Sequence, residues 1–126
     1  SAGYSTLAFD RGTPNTDEAY DLAIQSDGKI VLAGVASLSA STNTLAVARF
    51  LDNGNQDSTF GNIGAGRFVG TFAPATGTTD TGMAIAFAPG NRLMIAGSGA
   101  SGAGTDMLDF GVLRLTLDLI FADGFE

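Results

Sequence analysis

The densest run of potential metal-binding side chains is "DNGNQD", where Asp52, Asn53, Asn55 and Asp57 offer oxygen donors of the kind calcium takes. The spacing is not that of an EF-hand loop: Gly54 is misplaced and no Glu stands at the twelfth position. The same residues also spell a turn, with Asn53-Gly54 at positive φ and carboxylates capping backbone amides. The turn reading is preferred, so no cofactor is expected, with calcium near Asp52, Asn53, Asn55 and Asp57 as the alternative.

Carboxylate pairs are the other chemistry on offer. Asp17-Glu18, Asp21, Asp80, Asp106 and Asp109 could supply an acid and a base if two of them faced each other across a cleft. No His or Cys is present, which removes the Ser-His-Asp triad, the usual zinc sites and the thiolate nucleophile. Ser and Thr therefore have no base to activate them. The glycines of "GNIGAG" (Gly61 to Gly66) follow no strand-to-helix pattern and read as a loop between repeats, not as a phosphate cradle. No catalytic residue is assigned and no enzyme is expected.

Charge narrows the partners. Thirteen acidic against six basic residues give a net charge of −7, and Lys and Arg nowhere cluster, so nucleic acid is not an expected partner. No apolar stretch is long enough to span a membrane. The opening "SAGYST" lacks a charged and an apolar region, so any signal peptide is expected to have been removed already. The 18 glycines, the few lysines and the acidic balance favour an extracellular or cell-surface protein.

The elements that carry these residues come in duplicate. "DLAIQSDGKIVLAG" (Asp21 to Gly34) lies over "AIAFAPGNRLMIAG" (Ala84 to Gly97) at an offset of 63, which also brings Phe9 onto Phe72 and Asp17 onto Asp80. "LAVARF" (Leu45 to Phe50) lies over "FGVLRL" (Phe110 to Leu115) once two loop residues are allowed. The chain thus reads as one all-β domain of two tandem repeats, about 4–66 and 67–126. Carboxylates duplicated in this way suit a local structural task better than catalysis, and Arg49 and Arg114 repeat likewise. Both arginines are expected to lie across a strand pair or to bridge to an Asp, Asp52 or Asp118.

Each repeat predicts four short antiparallel strands, in the first about Ser5–Phe9, Tyr20–Gln25, Lys29–Val35 and Thr44–Leu51. Asp27-Gly28 and Gly90-Asn91 mark tight hairpins. The runs Ile30 to Ala33 and Leu93 to Ala96 are continuously apolar, the pattern of strands covered on both faces.

"AIQSDGKIVLAG", "LAVARFLDNGNQDSTFG" and "GRFVGTF" together resemble the bacterial delta-60 repeat. The resemblance implies exported or surface proteins built from β-propeller-like blades. The second repeat departs from it, with Gly90-Asn91 in place of Asp-Gly and "DLIF" (Asp118 to Phe121) in place of the D-x-x-F-G segment. The ending "ADGFE" is similar to the short acidic-aromatic tails of some exported proteins and reads as a natural C-terminus.

Two blades hide one shared pair of faces and leave two outer faces bare, whereas closed propellers take roughly 4–8 blades. The sequence therefore predicts a non-enzymatic module that self-associates, as a ring or a filament, through its blade faces and its C-terminal strand. A homo-oligomer, serving at the cell surface or in a matrix, is the expected partner arrangement. The interface residues expected are Val112, Leu113, Leu115, Leu117, Leu119, Phe121 and the docking residue Phe125. The alternative is an extracellular glycan- or calcium-binding module that uses the loops Ala36–Asn43 and Gly97–Thr105.

Overall fold

The structure, a computed structural model, describes residues 3–72, 79–100 and 108–117. It contains β1 (Asp17–Ile24), β2 (Ile30–Ser37), β3 (Asn43–Phe50), β4 (Arg67–Gly70), β5 (Asp80–Ala88), β6 (Arg92–Ala100) and β7 (Leu108–Thr116), and no helix among the described residues. They form two antiparallel sheets, β1-β2-β3-β4 and β5-β6-β7. The all-β, blade-like architecture is the one the repeat calls for, with three strands in the second sheet among the described residues.

The hairpins turn where turn chemistry demands. Gly28 has φ of 90° between β1 and β2, and Gly90 and Asn91 have φ of 81° and 60° between β5 and β6. An L-side chain resists that region, which is why Gly and Asn stand there. The first strand of each sheet carries a bulge, between Ala19 and Asp21 in β1 and between Gly82 and Ala84 in β5. The extra residues, Tyr20 and Met83, are repeat counterparts, so the irregularity is part of the unit.

One strand differs from expectation. Ser5–Phe9 is not a strand; the fourth place in the first sheet is taken by Arg67–Gly70, which pairs with β3 from Leu45↔Gly70 to Ala48↔Arg67. The first sheet therefore runs past residue 66, and "GNIGAG" is a loop within that sheet, not between repeats. Ladder hydrogen bonds to the long free edge of β3 decide the matter.

The sheets stack face to face, with β5 lying across β1, β2 and β3. Val31, Ala33, Leu45 and Val47 from the first sheet meet Leu93, Ile95 and Leu117, with Phe60 closing the cluster and Ile85, Leu113 and Leu115 packed against it. At roughly 25 cal/mol per Å2 of apolar area removed from water, this shared layer is the main favourable term holding the stack. A polar tie reaches across from β1: the Asp21 carboxylate accepts the Ile85 N–H at 2.8 Å. The counterpart of Asp21 in the second repeat is Ala84.

The far face of the first sheet is also covered, by the segment running from Ser5 to Phe9. Ala36, Ala46, Ala48 and Phe50 are buried beneath it, around a cleft of about 320 Å3 lined by Leu7, Phe9, Leu32 and Gly34 among others. Its anchors are Ser5 Oγ to the Gly54 carbonyl (2.6 Å), Phe9 N–H to Asp17 Oδ2 (2.8 Å) and Arg67 Nε to the Ala8 carbonyl (2.6 Å). Thus β2 is hidden on both faces, as its continuous apolar run predicts. In β6 only the Leu93 and Ile95 side is hidden, while Ala96 is exposed.

Candidate functional site

Alternation along β6 and β7 divides the second sheet cleanly. Leu93 faces Leu115 and Ile95 faces Leu113 on the buried side, while Met94 faces Arg114 and Ala96 faces Val112 on the other. The outward side carries Leu108, Phe110 and Val112 from β7, Met94 and Ala96 from β6, and Ala84 and Ala86 from β5. Phe110 is 101% exposed, Val112 67% and Leu108 62%. A contiguous apolar face of this kind on a sheet marks an association surface.

The repeat register says what such a face is for. Met94, Ala96, Phe110, Val112 and Arg114 occupy the positions of Val31, Ala33, Leu45, Val47 and Arg49. In the first sheet every one of those five is at most 1% exposed, pressed against the second sheet. The same surface is therefore sealed in one repeat and open in the other.

Arg49 shows what the sealed version contains. Its Nε donates to Asp57 Oδ2 at 2.8 Å, its guanidinium donates to Gln25 Oε1 at 3.2 Å, and its charge lies 4.6 Å from the centre of the Phe60 ring. Burial pushes the Asp57 carboxyl up, but hydrogen bonds from the Thr59 hydroxyl and N–H, with the Arg49 charge, outweigh it and hold the group below the usual carboxylate range. The expected partners Asp52 and Asp118 are replaced by Asp57, because the loop after Gly54 folds Asp57 back under β3, its N–H donating to the Arg49 carbonyl at 3.1 Å.

This geometry bears on calcium. Both oxygens of Asp57 are engaged by Arg49 and Thr59, and Asn53 Oδ1 accepts the Asn55 N–H at 2.9 Å. Gly54 has φ of 88° and closes the turn on the Leu51 carbonyl. Asp52, Asn53, Asn55 and Asp57 thus form the turn; among the described residues no group of three acidic side chains is placed to hold a metal.

The other carboxylates that are described have separate local settings. Asp17 and Asp80 do the same job in their own sheets: Asp17 Oδ2 accepts the Phe9 N–H and Asp80 Oδ2 accepts the Thr71 hydroxyl. Asp21 ties the two sheets, Asp109 is exposed on β7, and Asp106 lies outside the described residues. The second loop proposed for ligand binding is partly strand, since Gly97, Ser98 and Gly99 belong to β6 and residues 101–107 lie outside the described residues.

Of the expected interface residues, Val112 is outward and exposed. Leu113 and Leu115 face the core, and Leu117 is 2% exposed with its N–H bonded to the Asn91 carbonyl at 2.8 Å. Leu119, Phe121 and Phe125 lie outside the described residues. Treating the last strand as uniformly adhesive overlooks the pleat, which sends alternate residues to opposite sides. Laying β7 on β3 with the alternation in mind pairs Phe110 with Leu45 and places it on the open face.

Among curated proteins and among solved structures no significant match is found. A family model does match, described as "Domain of unknown function (DUF5122) beta-propeller", over residues 25–60. That span begins at Gln25 and ends at Phe60, the two residues that flank the Arg49–Asp57 pair, so its limits enclose the buried cluster that locks β3 to its loop. Residues 25–60, which hold β2, β3 and the loop that follows, thus match a β-propeller repeat of this family, the family of delta-60-like repeats.

Proposed function

We propose that the protein is a non-enzymatic structural module, acting outside the cell, whose copies join head to tail through blade faces. One observation carries the reading. The open side of the second sheet, with Phe110 and Val112, stands at the repeat positions of Leu45 and Val47, which the first sheet buries completely. A surface of that composition is stable in water when another sheet covers it, and the sheet it fits inside this chain is one bearing Leu93 and Ile95. The counterpart of that sheet face on a second copy is the far side of the first sheet, where Leu32, Gly34 and Ala46 line the cleft. The two surfaces differ, so the contact is heterologous and generates a ring or a filament. The apolar lining of the cleft favours this use over the binding of a polar ligand.

Light scattering on the purified chain tests the reading. Masses at multiples of 12.7 kDa are expected, rising with concentration if the contact does not close. A single species of 12.7 kDa across the concentration range overturns it.

A further inference from the structure

In the first sheet β3 is covered along its outer edge by β4, whereas among the described residues nothing pairs with the outer edge of β7. We infer that the segment Tyr4–Leu7 of a second copy fills this place, adding to β7 as an antiparallel strand and completing a four-stranded blade across the joint. The inference rests on the head-to-tail reading and supplies the strand that closes it.

The repeat identifies the donor. At the offset of 63, Tyr4–Phe9 is the counterpart of Arg67–Phe72, and Arg67–Gly70 is β4, the covering strand of the first sheet. The structure places the two segments alike. Phe72 lies against Gly97 and Gly111 on the Leu93 and Ile95 side of the second sheet. Phe9 lines the cleft with Gly34 and Ala46, which are the counterparts of those glycines, on the far side of the first. Gly70 lies beside Leu113, and its counterpart Leu7 lines the cleft with Ala48, the counterpart of Leu113. Each segment is then held by the aspartate that opens the next strand, Asp80 for one and Asp17 for the other.

The two segments differ in what lies beside them. Arg67–Gly70 has the edge of β3 to pair with, while Tyr4–Leu7 occupies the matching place with no sheet beside it in its own chain and is not a strand. A strand edge that is free among the described residues on one side, and a pre-positioned segment without a sheet on the other, are complementary requirements, and strand addition satisfies both through main-chain hydrogen bonds. The established pairing Leu45↔Gly70, Ala46↔Val69, Val47↔Phe68 and Ala48↔Arg67 transposes to Phe110↔Leu7, Gly111↔Thr6, Val112↔Ser5 and Leu113↔Tyr4 between copies.

The chain has no cysteine, so introduced thiols report this register directly. Ser5 and Val112 are both exposed, and neither S5C nor V112C disturbs the core. Mixing the S5C chain with the V112C chain under mild oxidation should give a covalent heterodimer on a non-reducing gel. Replacing V112C by R114C, two residues along the strand, should lower that yield at least about fivefold, since a disulfide tolerates only a narrow Cα separation. Assembly by light scattering without an S5C–V112C bridge overturns the strand addition and leaves face-to-face stacking standing. A V112C homodimer as the dominant product overturns it as well, because it shows like faces meeting. A wild-type monomer with no bridge overturns both.

Discussion

Arg49 and Asp57 form an ion pair that is almost wholly removed from solvent, Nε to Oδ2 at 2.8 Å, with the Phe60 ring beneath the guanidinium. The pair joins the end of β3 to the loop that returns to β4, so it fixes the course of the outer half of the first sheet. Removing one partner strands the other charge in the interior. Arg49→Ala is expected to cost about 3–5 kcal/mol in urea unfolding, as for other broken buried pairs. Asp57→Asn keeps the shape and should cost less. A loss below about 1 kcal/mol for Arg49→Ala would show that water reaches the site, in the range of exposed pairs.

The same pair sets a pH dependence. The Asp57 carboxyl is held below its ordinary value in the folded chain, so it binds protons more readily when unfolded. Its contribution is fully present above the unfolded value of about 3.9 and disappears as pH falls through the lower folded value. Denaturant midpoints measured from neutral pH downward should fall in that acid window, and Asp57→Asn should flatten the fall.

The sealed and the open version of the same repeat face should respond differently to substitution. Val47→Ala removes two methyl groups from the buried stack and is expected to cost about 1–3 kcal/mol of monomer stability. Phe110→Ser on the open side should leave monomer stability within about 0.5 kcal/mol, the usual span for surface changes, while lowering the assembled mass seen by light scattering. Unchanged assembly by this variant would remove the face from the contact.

Close backbone approach is confined to particular glycines. A methyl group on Gly34 would run into the Glu18 carbonyl of β1. Gly34→Ala should therefore force β1 and β2 apart and cost about 1–3 kcal/mol, the usual range for overpacking. A chemical-denaturation curve checks it.

Calcium is expected to leave the melting temperature unchanged, because the Asp57 oxygens already serve Arg49 and Thr59. A rise in melting temperature with calcium, absent with magnesium, would show that the loop rearranges to bind it.

Much of this fold was legible in the residues because the unit occurs twice. Asp27-Gly28 and Gly90-Asn91 announced the hairpins, and Asp17 with Asp80 announced a shared capping task. What stayed hidden depended on long-range choice. The strand that covers β3 comes from residues 67–70, while the repeat counterpart Tyr4–Leu7 is not a strand; Arg67–Gly70 has the edge of β3 to pair with, a long-range partner that no local pattern announces. The partner of Arg49 was equally hidden, since Asp52 is nearer in sequence and only the folded loop brings Asp57 beneath it. For the open face, the apolar residues of β7 were visible, but their division between two sides required the register with β6.

The bond from Ile85 N–H to Asp21 has a further meaning for how such a module behaves when many copies are linked. Between copies the equivalent carboxylate is the methyl of Ala84, which accepts nothing. If copies join as proposed, each junction between them would lack a fastening that each molecule keeps inside itself. Under dilution or tension, an array would separate at its seams and release intact two-blade pieces, ready to be joined again.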